Sequence, residues 1–211
     1  KRHWILDDNL RRFYRFHKNV QVPVNDGTIF RAAEDFVDRY ENVPLAGFQY
    51  KFFCNASVVS PPFIPNTRIY SCILIDNSLV LPGGERWRGR YNEDTDLSLR
   101  ALKAGHCTVL FIAFLADKIA TMKMAGGNTD ELYVDDGRLQ MAKSLVDQHP
   151  DVTTIVNKWG RWQHSVNYSK FRGNKFVPRK DFKPQTGSSE YGMKLREHGN
   201  PAGHKKGDSV K

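Results

Sequence analysis

The stretch RYNEDTDLSLRALKAG, residues 90–105, decides the fold because an acidic cluster runs directly into an amphipathic helix. Asn92 or Glu93 is predicted to begin the helix, since carboxylates in a first turn face the positive end of the helix dipole. Gly105 supplies the left-handed residue that ends it. The apolar positions recur at helical spacing, at Leu97, Ala101 and Ala104.

The acids of this stretch are crowded, because Glu93, Asp94 and Asp96 occupy three of four consecutive positions. A well-capped surface helix is the simpler interpretation. Crowded carboxylates are costly, however, unless a cation, a sugar hydroxyl or a proton shuttle uses them. The glycine and aromatic run of residues 82–87 precedes them. We therefore predict a functional site here.

Length and charge predict one domain and a basic tail. The 211 residues are 40% hydrophobic and 12% aromatic, which is enough for a core within residues 1–171. The net charge is +9, and residues 172–211 contribute +6 of it, from ten Lys/Arg and four Asp/Glu. Gly, Pro, Ser and Lys dominate that tail, so it is predicted to be disordered. A polyanionic partner is compatible with this charge.

Cysteine usage and hydropathy indicate a cytoplasmic protein. Cys54, Cys72 and Cys107 are odd in number and widely spaced, so we expect buried reduced thiols. No apolar run approaches the roughly 20 residues of a membrane helix, and no signal peptide is evident.

Acids also follow the first apolar run of the chain. Trp4, Ile5 and Leu6 predict a short buried strand, and Asp7, Asp8 and Asn9 come directly after it. Open α/β sheets place their ligands at such strand ends, where carboxylates can hold a divalent cation and thereby a diphosphate. A simple capping aspartate is the alternative.

The remaining pattern alternates helices with strands. Helices are predicted over residues 28–40 and 137–148, and strands over residues 68–76, 107–114 and 152–156. This alternation favours a three-layer α/β/α sheet.

Two segments combine aromatic and basic residues. Arg86, Arg88 and Arg90 alternate around Trp87, and residues 158–168 contain Trp159 and Trp162. Such residues can stack bases and bind phosphates, whereas ordinary packing is the alternative for each tryptophan taken singly.

Three features in this order resemble the nucleotide-sugar glycosyltransferases of the GT-A fold: the strand ending in Asp7-Asp8-Asn9, the Asn92-Glu93-Asp94 helix start, and the late His164 beside Trp159-Gly160-Arg161. More closely, residues 1–9, 91–97 and 158–161 look like the TET-associated glycosyltransferase family. That family is associated with bacteriophages, and its proposed activity is glycosylation of hydroxymethylated pyrimidines in DNA. The resemblance covers residues 1 to about 171.

The resemblance implies a role for each acid. Asp8, with Asn9 and His164, would ligate Mn²⁺ or Mg²⁺, and Asp7, Asp8 and Arg161 would hold the UDP-sugar donor. The motif ends in the Asn9 amide where the family favours a carboxylate, so the choice among these ligands stays open. For His164, a structural histidine bonded to backbone is the alternative.

For the acceptor side, the resemblance implies that Asp94 deprotonates a hydroxyl in an inverting reaction, or only orients it in a retaining one. Glu93 would bind a hydroxyl, and Asp94 would have its pKa raised by Glu93 and Asp96. Asp96 and Arg100 are four residues apart and also fit a simple ion pair. A DNA acceptor would contact Arg86, Trp87, Arg88 and Arg90.

The expected function is thus metal-dependent hexosyl or pentosyl transfer to hydroxymethylcytosine or a related base, in the host cytoplasm if a phage encodes the protein. A GT-A enzyme acting on a glycan or protein, and a non-catalytic nucleic-acid-binding scaffold, are the alternatives. A GT-A domain normally carries nucleotide-binding βα units before the metal motif, so we expect that N-terminal half to be missing here.

Overall fold

A computed structural model describes residues 1–17, 19–54, 60–82, 84, 87–119 and 137–183, which form a mixed α/β domain. The strands are β1 (Arg2–Leu6), β2 (Leu10–His17), β3 (Val20–Val24), β4 (Leu45–Tyr50), β5 (Phe63–Pro65), β6 (Cys72–Asp76), β7 (Thr108–Lys118), β8 (Thr153–Lys158) and β9 (Arg161–Val166). The helices are α1 (Thr28–Val37), α2 (Glu93–Lys103) and α3 (Gly137–Gln148), with 3-10 turns at Lys51–Phe53 and Tyr168–Phe171.

Seven strands form one mixed sheet in the order β1-β6-β4-β7-β2-β3, and β5 pairs with β7 beside β2. β4 and β7 are parallel, whereas the other pairs are antiparallel. β7 lies at the centre and is buried along most of its length, which explains its uninterrupted apolar run. β8 and β9 form a separate hairpin.

Helices cover both faces of the sheet. Side chains alternate along the strands, so Ala46 and Phe48 of β4 pack with Ala33 and Phe36 of α1. Leu45 of the same strand faces the opposite way, into a cluster formed by α2 and the neighbouring strands. The α/β class predicted from the sequence is therefore confirmed.

Gly47 is required where β4 passes β6. A Cβ atom at this position would lie 2.3 Å from the Cys72 carbonyl oxygen and 2.4 Å from Cγ2 of Ile69. Next to Gly47, the pairing of β4 with β7 shifts register: Phe48 pairs with Phe111, whereas Gln49 pairs with Leu115. The extra residues therefore lie in β7.

Two predictions about elements were wrong in detail. β1 is half-exposed at the edge of the sheet rather than buried, because it pairs only with β6. The strand predicted over residues 68–76 is shortened to β6, because Ser71 adopts a left-handed backbone with φ of 60°. Residues 68–71 consequently form an irregular segment before β6.

The three cysteines are free and buried, as predicted. Among the helices in the described ranges, none is long and apolar enough to cross a membrane. The predicted tail begins at residue 172, yet residues 172–183 lie against the domain, where Pro178 forms a β-bridge with Tyr40. Residues 184–211 lie outside the described part, and the domain boundary stays a prediction.

Candidate functional site

The acids after β1 lie against the end of the central strand. Lys118, the last residue of β7, donates from Nζ to Asp7 Oδ2 at 2.6 Å and to Ser71 Oγ at 2.8 Å. Burial lowers the pKa of Lys118, but the bond to Asp7 and the nearby Tyr50 outweigh it, so the net shift is upward. An ammonium group is thereby fixed at this edge of the sheet.

Asp8 and Asn9 complete the turn between β1 and β2. The Asp8 side chain is exposed. The Asn9 side chain is different, because its Oδ1 is buried and has no hydrogen-bond partner among the described residues. An acceptor oxygen left without a donor fits a cation or a ligand hydroxyl.

Two tyrosines link this edge to the next part of the site. The Tyr50 hydroxyl shares a 2.5 Å hydrogen bond with Ser71 Oγ, and its ring lies 5.6 Å from Lys118 Nζ. The Tyr70 ring lies 4.6 Å from the Tyr50 ring, and the Tyr70 hydroxyl donates to Gln49 Oε1. Burial raises the pKa of both phenols, so both stay neutral at ordinary pH.

Arg68 is a cation close to several other residues of the site, and it was not predicted from the sequence. Its guanidinium lies 4.7 Å above the Tyr70 ring. Its charge also acts on Asp94, His164 and Tyr168, which come from three separate elements. No motif surrounds Arg68 in the sequence, so only its neighbours in the folded chain reveal it.

Asp94 lies in the first turn of α2, as predicted. Its Oδ1 accepts hydrogen bonds from the Thr95 backbone N–H at 2.5 Å and from Thr95 Oγ1 at 3.1 Å. Burial raises the pKa of Asp94 and the charge of Glu93 raises it further, while Arg68 and Thr95 act in the opposite direction. The net shift is upward, which suits a carboxylate that accepts a proton.

Asp96 does not belong to this pair, contrary to the expectation that it raises the pKa of Asp94. Its side chain is fully buried on the other side of α2. Arg88 donates two bonds to it, at 2.6 and 3.2 Å, Arg100 donates one at 3.0 Å, and His149 Nε2 lies 2.8 Å away. Burial raises the pKa of Asp96, but these partners outweigh it and hold the pKa far below its usual range.

The structure accordingly gives the basic residues before α2 different settings. Arg88 is held by Asp96, and the Asp96–Arg100 pair expected from the sequence is present. Trp87 is 39% exposed and Arg90 is exposed. Residues 87–91 are irregular, with bends at 87 and 89–91, and contain no strand. Arg86 lies outside the described residues.

His164, on β9, faces the Arg68 region. Burial and the positive charge of Arg68 lower its pKa to about 4, so the imidazole is neutral at pH 7. Its Nδ1 is buried and has no hydrogen-bond partner among the described residues. The alternative of a histidine satisfied by backbone therefore does not hold at Nδ1.

Arg161 lies apart from His164, at the exposed tip of the hairpin. Three positions separate them on β9, so their side chains point to opposite faces of the hairpin. Within the described ranges, no three His, Cys, Asp or Glu side chains cluster closely enough to hold a metal ion. The predicted metal set contains only two such side chains, Asp8 and His164, besides Asn9.

The model of the TET-associated glycosyltransferase family matches residues 1–127, more than half of the chain. The match contains Asp7, Arg68, Asp94 and Lys118, whereas the β8–β9 hairpin and His164 lie beyond it. No curated protein and no solved structure matches the chain.

Proposed function

The chain belongs to the TET-associated glycosyltransferase family, and we propose that it transfers a sugar from a UDP-sugar to the hydroxyl of a 5-hydroxymethylpyrimidine base in DNA. The observation that carries the proposal is the setting of Asp94. Its pKa is raised, and Arg68 links it to Tyr168 and His164. A proton acceptor and two neutral hydrogen-bonding groups thus surround one fixed cation.

In the proposed reaction, Asp94 takes the proton of the acceptor hydroxyl as its oxygen bonds to the anomeric carbon of the sugar. The bond between that carbon and the diphosphate oxygen breaks, and its electron pair leaves with the nucleoside diphosphate. Glu93, which is exposed beside Asp94, binds an acceptor or sugar hydroxyl. This describes an inverting enzyme; in a retaining one Asp94 orients the acceptor.

The departing diphosphate needs positive charge, and two fixed cations of this chain can supply it. Lys118 is held in its ammonium form beside Asp7. Arg68 lies across the Tyr50–Tyr70 ring pair from it. Cations fixed before the reaction stabilise developing charge without reorganisation. Asp7 and Arg161 remain proposed contacts of the donor.

Metal dependence is part of the proposal. Asp8, Asn9 and His164 would hold the ion, and the unpartnered Asn9 Oδ1 and neutral His164 Nδ1 have suitable donor chemistry. Imidazole favours Mn²⁺ over Mg²⁺. A bound ion would act as a Lewis acid toward the diphosphate.

The DNA acceptor is proposed from the family and from the basic and aromatic residues near the site. A base must leave the duplex stack before its hydroxymethyl group can approach Asp94. Arg86, Trp87, Arg88 and Arg90 precede the helix that carries Asp94 and remain the proposed DNA contacts. The group transferred is proposed to be a hexosyl or a pentosyl residue.

Transfer of radiolabelled sugar from UDP-sugars, with Mn²⁺ or Mg²⁺, tests the proposal on DNA containing hydroxymethylcytosine or hydroxymethyluracil. Unmodified DNA, a polysaccharide panel and a protein panel serve as alternative acceptors. Asp94→Asn should lower kcat by about 10²- to 10⁴-fold. Asp147→Asn removes an exposed carboxylate of α3 and should leave kcat unchanged.

Labelling of polysaccharide or protein alone would show that the acceptor is a glycan or a protein and not DNA. Binding of DNA without transfer from any donor would instead support a scaffold. Full activity of Asp94→Asn would exclude Asp94 as the general base. Full activity in excess EDTA would exclude a requirement for a metal ion.

A further inference from the structure

The hairpin of β8 and β9 ends in a two-residue turn whose first residue is unusual for its position. Lys158 and Arg161 are its last paired residues, so Trp159 and Gly160 alone form the loop. Both adopt left-handed backbone conformations, with φ of 53° and 70°. This pattern is that of a type I′ turn, in which Asn-Gly is the favoured pair. Trp159 therefore occupies a position that a large side chain seldom takes.

The side chain at this turn is also the most exposed large hydrophobic one in the described part of the chain. Trp159 is 88% exposed, and Trp162, the next tryptophan, is 45% exposed. The indole thus adds neither a favourable turn conformation nor packing within the described domain. The exposed indole is therefore available to contact another molecule.

The surroundings of the indole indicate which kind of molecule. Lys158 and Arg161 flank it, and both are exposed. An aromatic face between two cations suits a nucleic acid, because bases stack on aromatic rings and phosphates pair with Lys and Arg. The net charge of +9 favours the same partner.

The hairpin connects this tip to the candidate site. Along β9, His164 is three residues from Arg161, which corresponds to about 10 Å at the usual rise of a strand. Trp162 and His164 lie on the same face, since they are two residues apart. Base pairs in DNA are spaced by about 3.4 Å, so this length corresponds to about three base-pair steps.

We infer that the hairpin tip is a DNA-binding wedge, in which Trp159 stacks on or between bases within about four pairs of the target base while Lys158 contacts a flanking phosphate. The inference rests on the proposed function for the identity of the target base. An inserted ring holds the duplex open, which lowers the cost of moving the target base out of the stack.

Binding of a fluorescent duplex that contains one hydroxymethylcytosine tests the wedge. 2-Aminopurine is placed one to six pairs from the modified base on either side, and its fluorescence reports unstacking. The test variant is Trp159→Asn, because Asn suits the left-handed turn and leaves the hairpin fold intact. Trp159→Phe keeps an aromatic ring, and Val80→Ala removes an exposed apolar side chain elsewhere.

Trp159→Asn should weaken duplex binding by about tenfold or more and abolish the fluorescence change within four pairs. Trp159→Phe should retain most of both, and Val80→Ala should match the wild type. Thermal unfolding confirms that each variant is folded. Unchanged binding by Trp159→Asn, or fluorescence changes that persist in it, would overturn the wedge.

This binding assay separates the two proposals. Sugar transfer to DNA by the wild type, together with unaltered binding by Trp159→Asn, would support the proposed transferase activity and contradict the DNA-binding wedge. Loss of binding in Trp159→Asn without any sugar transfer by the wild type would do the reverse.

Discussion

At the scale of single residues, Asp94 is governed by a balance between two neighbours of opposite charge. Glu93 raises its pKa and Arg68 lowers it, on top of the increase caused by burial. The pKa of the carboxyl group therefore lies above the ordinary aspartate value of 3.8, and it depends on both side chains. Each neighbour can be removed separately, which gives a test with two opposite outcomes.

We predict that Glu93→Gln lowers the pKa of Asp94 and that Arg68→Gln raises it. The acid limb of the kcat/KM profile should move in the same directions, to lower pH in the first variant and to higher pH in the second. Carbon-13 NMR of labelled aspartate measures the pKa without relying on activity. Shifts of the same sign in both variants would contradict this account of the site.

The same pKa shift has a consequence for stability. Because the folded-state pKa of Asp94 is raised, its contribution to stability is present below the unfolded pKa and is lost as pH rises through the folded pKa. Asp96 behaves in the opposite way, because its folded pKa is depressed. Its contribution is present above the unfolded pKa and is lost as pH falls through the folded value.

Residue types and spacing made part of the site predictable. Asp94 was expected at the helix start because acidic residues favour a first turn, and the structure places it there. Arg68 was not predictable, since its importance arises from the meeting of residues 68–71 with α2 and β9. Spacing indicated the Asp96–Arg100 pair, but it did not predict the bonds of Asp96 to Arg88 and His149.

At the scale of elements, α2 serves both the site and the interior. Its first turn presents Asp94 to Arg68, while Asp96, two residues later, joins Arg88, Arg100 and His149. His149 follows directly after α3, so this network fixes α3 against α2. The network thereby supports the helix that positions the proposed base.

We predict that Asp96→Ala lowers the free energy of unfolding by about 3–5 kcal/mol, because it leaves the buried Arg100 without its carboxylate. Urea unfolding measures the change. Asp151→Ala is the control, because its ion pair with Lys103 is largely exposed and should contribute less than about 1 kcal/mol. Equal losses in the two variants would contradict a structural role specific to Asp96.

Helices and central strands were the most predictable elements. The helix over residues 137–148 and the central strand β7 followed directly from apolar periodicity and length. A strand was predicted over residues 152–156, within β8, whereas β9 was recognised only as part of an aromatic and basic segment because it lacks a continuous apolar face. Strand order was not predictable, since β1 pairs with β6 although β2, β3, α1, β4 and β5 lie between them in the sequence.

At the scale of the whole molecule, the basic C-terminal segment divides into two parts. Residues 172–183 hold five Lys/Arg and one Asp, so +4 of the net charge of +6 lies in the part that packs on the domain. Asn174 Nδ2 donates to the carbonyls of Leu102 and His106 at 2.8 and 2.7 Å, where α2 ends. Phe176 packs with Tyr40, their ring centroids 4.8 Å apart.

These contacts predict different effects for two truncations. Because composition predicts a disordered tail, a chain ending at residue 183 should unfold at the temperature of the full chain, whereas one ending at residue 171 should lose stability. Two hydrogen bonds of about 1 kcal/mol each and partial burial of Phe176 together contribute about 3 kcal/mol. For a domain of this size, that corresponds to about 6–12 °C in Tm.

Calorimetry of the two truncated chains and of Asn174→Ala measures this contribution. Asn174→Ala should reproduce part of the loss, because it removes both bonds to the end of α2 and keeps Phe176. Since α2 also carries Asp94, the shorter chain should lose transferase activity at temperatures below its Tm. Equal Tm values for chains ending at 171 and 183 would show that the segment only rests on the domain, and the predicted boundary at residue 171 would then be the physical one.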